Sequence, residues 1–245
     1  MSGSFEVILA IIAVVIAGIF RGFSGFGTGM ILVPSLSVIY EPIVAVITVV
    51  LLELVTALQL VKTSLPDCHW KTVIPMAVTS SMMVPLGTLL LVNIDANTMR
   101  VVISVLVMVS VIILSSGWRY KGQAGYKIST LTGVTSGLIT GATSLGGLPV
   151  ILFYLSSHLP TRVARASMIV FLIITSIVSL LTFMFHGIVK SDDIARTAAI
   201  VPVFIVAIWL GGMLFGKVAE PLFRKIILSL LSGVSVMTLV SVYRM

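Results

Sequence analysis

From Ser4 to Tyr40 the chain offers no stretch polar enough to form a solvated loop. As one straight helix rising ~1.5 Å per residue, that segment would reach roughly 55 Å, against a hydrocarbon core about 30 Å thick. It must fold back or break. The place is marked in Gly18–Pro34, GIFRGFSGFGTGMILVP, where glycines crowd the centre of an apolar run. Glycine loses more backbone freedom on ordering than any other residue, so such a cluster interrupts a helix. Gly18, Gly22 and Pro34 recur 115 positions later as Gly133, Gly137 and Pro149, in GVTSGLITGATSLGGLP. Inside a bilayer, interrupted backbone survives only where protein or a water-filled cavity satisfies its free N–H and C=O groups. Two breaks in matching places point to the binding site of a transporter.

The remaining chain is organised around these two segments. The first apolar run, about Phe5–Phe20, leads into the first break, and Met30–Tyr40 follows it. The counterpart, Lys127–Ser157, is interrupted at Thr140–Gly147. After the first come spans at about Ile43–Val61, Thr72–Val92 and Thr98–Ser116; after the second, about Val163–Phe185, Ile194–Phe215 and Leu222–Val242. Gly87 and Arg100 stand as far apart as Gly211 and Arg224. The expected fold is an all-α polytopic membrane protein: a single transmembrane domain over 1–245, built of two inverted repeats at about 4–116 and 127–243. Each repeat holds a broken, re-entrant-like segment and three transmembrane helices, about eight segments in all.

Composition agrees. Hydrophobic residues make up 58% and charged residues 9% of the chain, whereas soluble domains carry roughly 25% charge. The net charge of +7 does not argue for nucleic acid, because the basic residues lie mostly in short loops beside apolar runs. Cys68 alone makes neither a disulfide nor a cysteine metal site, and no His/Cys/Asp cluster has ligand spacing. No metal and no cofactor is expected. The start, MSGSFEVILA, lacks a basic n-region and reads as a retained membrane segment.

Loop charge addresses orientation. If each broken segment returns to its starting side, one face collects Lys62, Lys71, Arg119, Lys121, Lys127, Arg162, Arg165, Lys217, Arg224 and Lys225. The other collects Arg100, Lys190, Arg196 and Arg244. If each crosses once, the asymmetry falls to eight against six. The positive-inside rule favours the sharper division. It places both termini outside the cytoplasm of a multi-pass cell-membrane protein, with the linker Gly117–Tyr126 inside.

The breaks supply the candidate chemistry. Residues just after them, Gly29–Leu32 and Gly146–Val150, would start new helices, whose free N–H groups favour anions. Arg21, Ser24, Gly25, Gly27, Thr28 and Gly29 in the first copy are candidate substrate-binding residues. Thr140, Thr143, Ser144, Gly146 and Gly147 are their counterparts in the second. In an inverted pair the two tips would approach each other near the midplane. The competing reading makes the glycines packing residues, which fits Gly18/Gly22 and Gly133/Gly137. Arg21 is either a cation facing an anionic ligand or one that snorkels to water. Thr48 and Ser167 stand early in the span after each break and are further candidates, though a hydroxyl bonded to its own helix is the commoner case. Glu53, alone in VVLLELVTAL, is the candidate coupling residue; otherwise it ties helices together, with Arg21 or Arg165 as partner. His158 and Arg165 can guide anions or simply set topology. His69 and His186 stand isolated near span ends, and Asp192-Asp193 reads as a loop and N-cap.

The duplicated glycine-rich stretch ending in Val33-Pro34 and Leu148-Pro149, followed by AVIT (Ala45–Thr48) and ARAS (Ala164–Ser167), resembles the TauE/SafE sulfite exporter family of permeases. The likeness runs from about residue 5 to 242. It implies a transporter of small, commonly sulfur-containing anions such as sulfite, organosulfonates or sulfoacetate. The family's glycines fall on Gly22, Gly25, Gly27 and Gly29, and on Gly137, Gly141, Gly146 and Gly147. Thr28 and Thr143-Ser144 interrupt the fuller glycine run of the family.

The leading reading is therefore a secondary transporter of small anions working by alternating access. No nucleotide-binding P-loop is present. An anion channel is the nearest alternative; a non-transporting assembly subunit is another. An intramembrane enzyme would need a nucleophile–base pair or metal ligands that the histidine placement does not provide. The partners implied are the lipid bilayer and a small anion, with no nucleic acid. Substrate, direction, coupling ion and oligomeric state, a homo-oligomer included, stay open.

Overall fold

The computed structural model describes residues 3–25, 27–116 and 125–214, with 229, 232, 233, 236 and 238. Among these the chain is helical and contains no strand. The helices are α1 (Gly3–Ser24), α2 (Thr28–Ile39), α3 (Pro42–Ser64), α4 (Trp70–Asn93), α5 (Ala96–Ser116), α6 (Tyr126–Thr143), α7 (Gly147–Leu155), α8 (Thr161–Phe185) and α9 (Ser191–Leu214). Five of them, α1, α4, α5, α8 and α9, are long and apolar enough to cross a membrane. Most of the expected last span, Leu222–Val242, and most of the linker Gly117–Tyr126 lie outside the described residues.

Local chemistry sets the boundaries. Pro42 stands at the first position of α3, where its missing N–H costs nothing. Asp95 Oδ1 accepts from Asn97 N and Thr98 N and so caps α5. The hydrogen bonds from Thr98 hold its carboxyl below the usual carboxylate range. Asp192 and Asp193 belong to the first turn of α9 rather than to a loop before it; negative charge favours that end of a helix dipole. One span departs from the straight helix expected: Pro42–Thr56 and Leu60–Asp67 are bent by 63°. No proline or glycine between them marks the bend.

The described residues cluster in two compact units. The first holds α1, α2, the start of α3, α5 and α9. Ile31, Leu32, Met99, Ile103 and Phe204 are fully buried there, and α1 packs along α9. The second holds the rest of α3 with α4, α6, α7 and α8. Leu52, Met76, Leu91, Phe171 and Phe183 are fully buried in it, and α6 packs along α4. Lipid is as apolar as leucine, so these helices are held by close packing rather than by escape from water.

Glycine makes that packing close in both units. In α1, a Cβ on Gly22 would strike Ile208 O and stand 2.8 Å from Gly212 N; one on Gly18 would stand 2.5 Å from Ala207 Cβ. In α6, a Cβ on Gly141 would strike Val84 O and stand 2.9 Å from Thr88 N; one on Gly137 would strike Ser80 O. Across the seams, Gly211 meets Ile19 O and Gly87 meets Leu138 O. These contacts pair Gly18 with Gly137, Ile19 with Leu138 and Gly22 with Gly141, an offset of 119. The same offset relates the ends of α1 and α6 and the starts of α2 and α7. The 115-residue echo is thus corrected by four residues. One helical turn takes 3.6 residues, so a slip of four leaves each glycine on almost the same face.

Candidate functional site

The first break lies in the first unit. Gly25 N donates to Arg21 O at 2.8 Å, closing the last turn of α1. Gly25 and Gly27 then take φ of 84° and 89°, the left-handed region in which a Cβ is strained. A Cβ on Gly27 would also strike the Phe20 ring. Helix α2 starts at Thr28, and among the described residues no side-chain cap bonds its free N–H groups. The Thr28 hydroxyl is fully buried and has no hydrogen-bond partner among the described residues. Gly29 follows, also buried. Ser24 spends its hydroxyl on Phe20 O at 2.7 Å. Arg21 is only 2% exposed, so its guanidinium is enclosed by protein and does not snorkel to water.

The second break, in the second unit, is built differently. Thr143 ends α6, and Ser144 takes the left-handed conformation at φ 54°. Ser144 N donates to Thr140 O at 2.8 Å, Leu145 N to Thr143 Oγ1 at 3.3 Å, and Ser136 Oγ to Gly146 O at 2.5 Å. A Cβ on Gly146 would collide with the Thr140 hydroxyl and Ser136 O. At Gly147, the first residue of α7, a Cβ would find only Leu172 Cδ2 at 3.8 Å. Among the described residues no side-chain cap bonds the start of α7, where Leu148 N donates to Leu145 O at 3.4 Å. The hydroxyls of Thr140 and Ser144 are buried without a partner among the described residues. Thr143 donates to Ile139 O at 2.8 Å. A buried hydroxyl left unpaired costs about 1–3 kcal/mol, and three of them stand at the two breaks.

The other sequence candidates are engaged elsewhere. Thr48 donates to Val44 O at 2.8 Å. Ser167 donates to Val163 O at 2.7 Å and accepts His69 N at 2.9 Å. Both follow the commoner pattern of bonding to their own helix. Glu53 is 8% exposed, and Ser176 Oγ donates to its Oε2 at 2.8 Å.

Several buried polar residues away from the breaks were not singled out from sequence. Ser80 and Ser179 are fully buried with hydroxyls that lack partners among the described residues. Thr72 Oγ1 and Tyr154 OH share a hydrogen bond of 3.0 Å, and His69 Nδ1 lies 3.1 Å from the same Thr72 oxygen. His69, which looked isolated, is part of a network fastening the end of α7 to the start of α4. Beside it, burial pushes the Cys68 thiol pKa up. In the first unit Arg100 does the fastening. Its Nε donates to Ser37 O at 2.7 Å and its Nη2 to Tyr40 O at 3.4 Å, at the carbonyl end of α2, while Nη1 donates to Asn97 Oδ1 at 2.9 Å. A cation there also complements the helix dipole. In sequence, the burial of Arg100 was masked by its place in the topology count.

Comparison with known proteins adds one match. Residues 10–238 match the profile of the family described as sulfite exporter TauE/SafE. No curated protein and no solved structure matched. With nearly the whole length covered, and apolar helices throughout, the chain belongs to the TauE/SafE family of membrane transporters.

Proposed function

We propose that this protein is a secondary transporter that carries a small, sulfur-containing oxyanion such as sulfite or an organosulfonate across the cell membrane by alternating access. The observation that carries this reading is the coincidence, at both helix breaks, of helix starts without a side-chain cap and buried hydroxyls that lack partners among the described residues: Thr28, and Thr140 with Ser144. Amide N–H groups at a helix start attract an anion through the dipole, and hydroxyls add donors that an oxyanion satisfies. Gly147 is half-buried and carries no side chain, which lets a solute approach the second helix start closely. Glu53, buried and bonded to Ser176, is the proposed coupling residue, its carboxyl taking up and releasing the driving proton or ion. Both termini stand on the extracytoplasmic side in this reading, which follows the loop charges.

The test is thermal stabilisation of the purified protein by sulfite, sulfonates, thiosulfate, carboxylates and phosphate at two pH values. Stabilisation by one or more sulfur oxyanions is expected. Stabilisation by a cation and by no anion would defeat the proposal. For Glu53→Gln, weakened gradient-driven uptake with intact membrane insertion is expected; unchanged transport and pH dependence would remove Glu53 from the mechanism.

A further inference from the structure

We propose that a groove on the outer face of α4 binds one acyl chain of an anionic phospholipid whose phosphate is held by Lys71. The groove lies within the second unit and has a volume of about 510 Å³. Trp70, Ile74, Val78 and Met82 follow one another at intervals of four along α4 and are 44%, 54%, 49% and 65% exposed. Ala77, 6% exposed, forms the floor, and Ile174 of α8 closes the far side. The one hydroxyl in the lining, on Ser81, donates to Ala77 O at 2.7 Å. With that hydroxyl engaged, the Trp70 indole N–H is the other side-chain polar group of the lining, and the rest is apolar, which suits a hydrocarbon tail and not a polar solute.

Length and charge identify the occupant. Trp70 to Met82 covers roughly 18 Å of helix at ~1.5 Å per residue. One leaflet of a hydrocarbon core about 30 Å thick is roughly 15 Å deep. The groove thus runs about one leaflet from its mouth. At the mouth stands a tryptophan, the residue type enriched at the membrane interface. Lys71 is exposed beside it. It lies three, seven and eleven positions before Ile74, Val78 and Met82, on the same face of the helix. Arg162, at the same end, is already paired with Asp67 at 2.6 Å. The ammonium at the head of the stripe is that of Lys71, and a basic side chain there selects a negative headgroup.

The experiment is native mass spectrometry of the purified full chain in detergent, supplied with equal amounts of phosphatidylglycerol and phosphatidylcholine of matched tails. Retained phosphatidylglycerol is expected in about fivefold excess, the order a single lysine near a membrane surface contributes. Lys71→Gln, at an exposed position, should bring the ratio close to one while tail binding persists. Ala77→Phe, which fills the floor, should reduce retention of both lipids; if it does not accumulate, Met82→Ala, which removes a wall, should do the same. Equal retention of the two lipids by the unaltered protein would overturn the proposal, as would a preference that survives Lys71→Gln. A dimer mass lost in Ala77→Phe would assign the groove to a second copy and sink it too.

Discussion

The two breaks each leave the preceding helix through a left-handed residue but enter the next one differently, since Gly27 is left-handed and Gly146 is not. At the first, glycines at 25 and 27 take the left-handed turn; at the second, Ser144 takes it and keeps a side chain there. The far ends of the following short helices differ as well. A guanidinium grips the carbonyl end of α2, whereas α7 is held through the phenol of Tyr154 and neutral partners. What the two segments share is the glycine seam of the preceding helix and the uncapped start of the next. Features common to both serve the packing and, in the proposed transport, the attraction of an anion; features found in one alone are where the two differ.

The shared seam carries the largest predicted effect. Gly22→Leu and Gly141→Leu would each drive a side chain into a neighbouring backbone carbonyl, that of Ile208 or of Val84. Overpacking costs typically 1–3 kcal/mol and more against unyielding backbone. Both variants should lose most monodisperse protein on size-exclusion chromatography. Gly147→Ala, whose Cβ would make only an ordinary contact with Leu172 Cδ2 at 3.8 Å, should keep its yield and lose anion-induced stabilisation. If the leucine at 22 is tolerated and that at 141 is not, the 119-residue correspondence between the seams fails.

The anchors come next. Arg100→Gln should leave Ser37 O and Tyr40 O short of donors, at a cost of about 1–3 kcal/mol for each group left unsatisfied. Thr72→Val removes neutral hydrogen bonds from Tyr154 and His69, worth about 0.5–1.5 kcal/mol each. Thermal unfolding in detergent should rank Arg100→Gln as the more damaging. The reverse order would mean that the cation at the end of α2 is not its principal tether.

Much of the architecture was legible because membrane helices announce themselves by length and apolarity. The expected span at Val163–Phe185 and the observed α8 at Thr161–Phe185 differ by two residues at one end. The breaks were legible because several glycines close together weaken an apolar helix where they fall. The register between the two segments was not, since a shift of four residues preserves the glycine face. Nor was the bend in α3, which has no proline or glycine to betray it. At the site, sequence supplied the hydroxyls but could not sort them. Thr143 and Ser24 look like Thr140 and Thr28 until the carbonyl four residues earlier is seen to accept from the former pair.

That sorting yields a prediction with two readouts of opposite sign. Replacing a buried hydroxyl that has no partner should leave the empty protein as stable or raise it by about 1 kcal/mol. If the hydroxyl serves an anion, the same change should weaken binding about tenfold, since ~1.4 kcal/mol is a factor of ten. Thr140→Val, Ser144→Ala and Thr28→Val should therefore melt at the same or a higher temperature alone and gain less from the ligand. Thr143→Val should do neither. Weakened binding in the Thr140 and Ser144 variants with none in Thr28→Val would confine hydroxyl recognition to the second break.

The smallest effect bears on the one conformation the two breaks share. A residue with a Cβ pays about 1–2 kcal/mol to sit in the left-handed region, and glycine does not. Ser144→Gly should relieve roughly that strain, partly offset by the greater freedom of glycine in the unfolded chain. Gly25→Ala should incur it in the other direction. The expected outcome is a slightly raised melting temperature for the first and a lowered one for the second, measured without ligand. With saturating anion the order at 144 should invert, because the glycine has also lost the hydroxyl that meets the solute. An inversion at 144 with no ligand dependence at 25 separates a strained binding residue from a turn that glycine merely permits. Without the inversion, Ser144 is only a cap on α6.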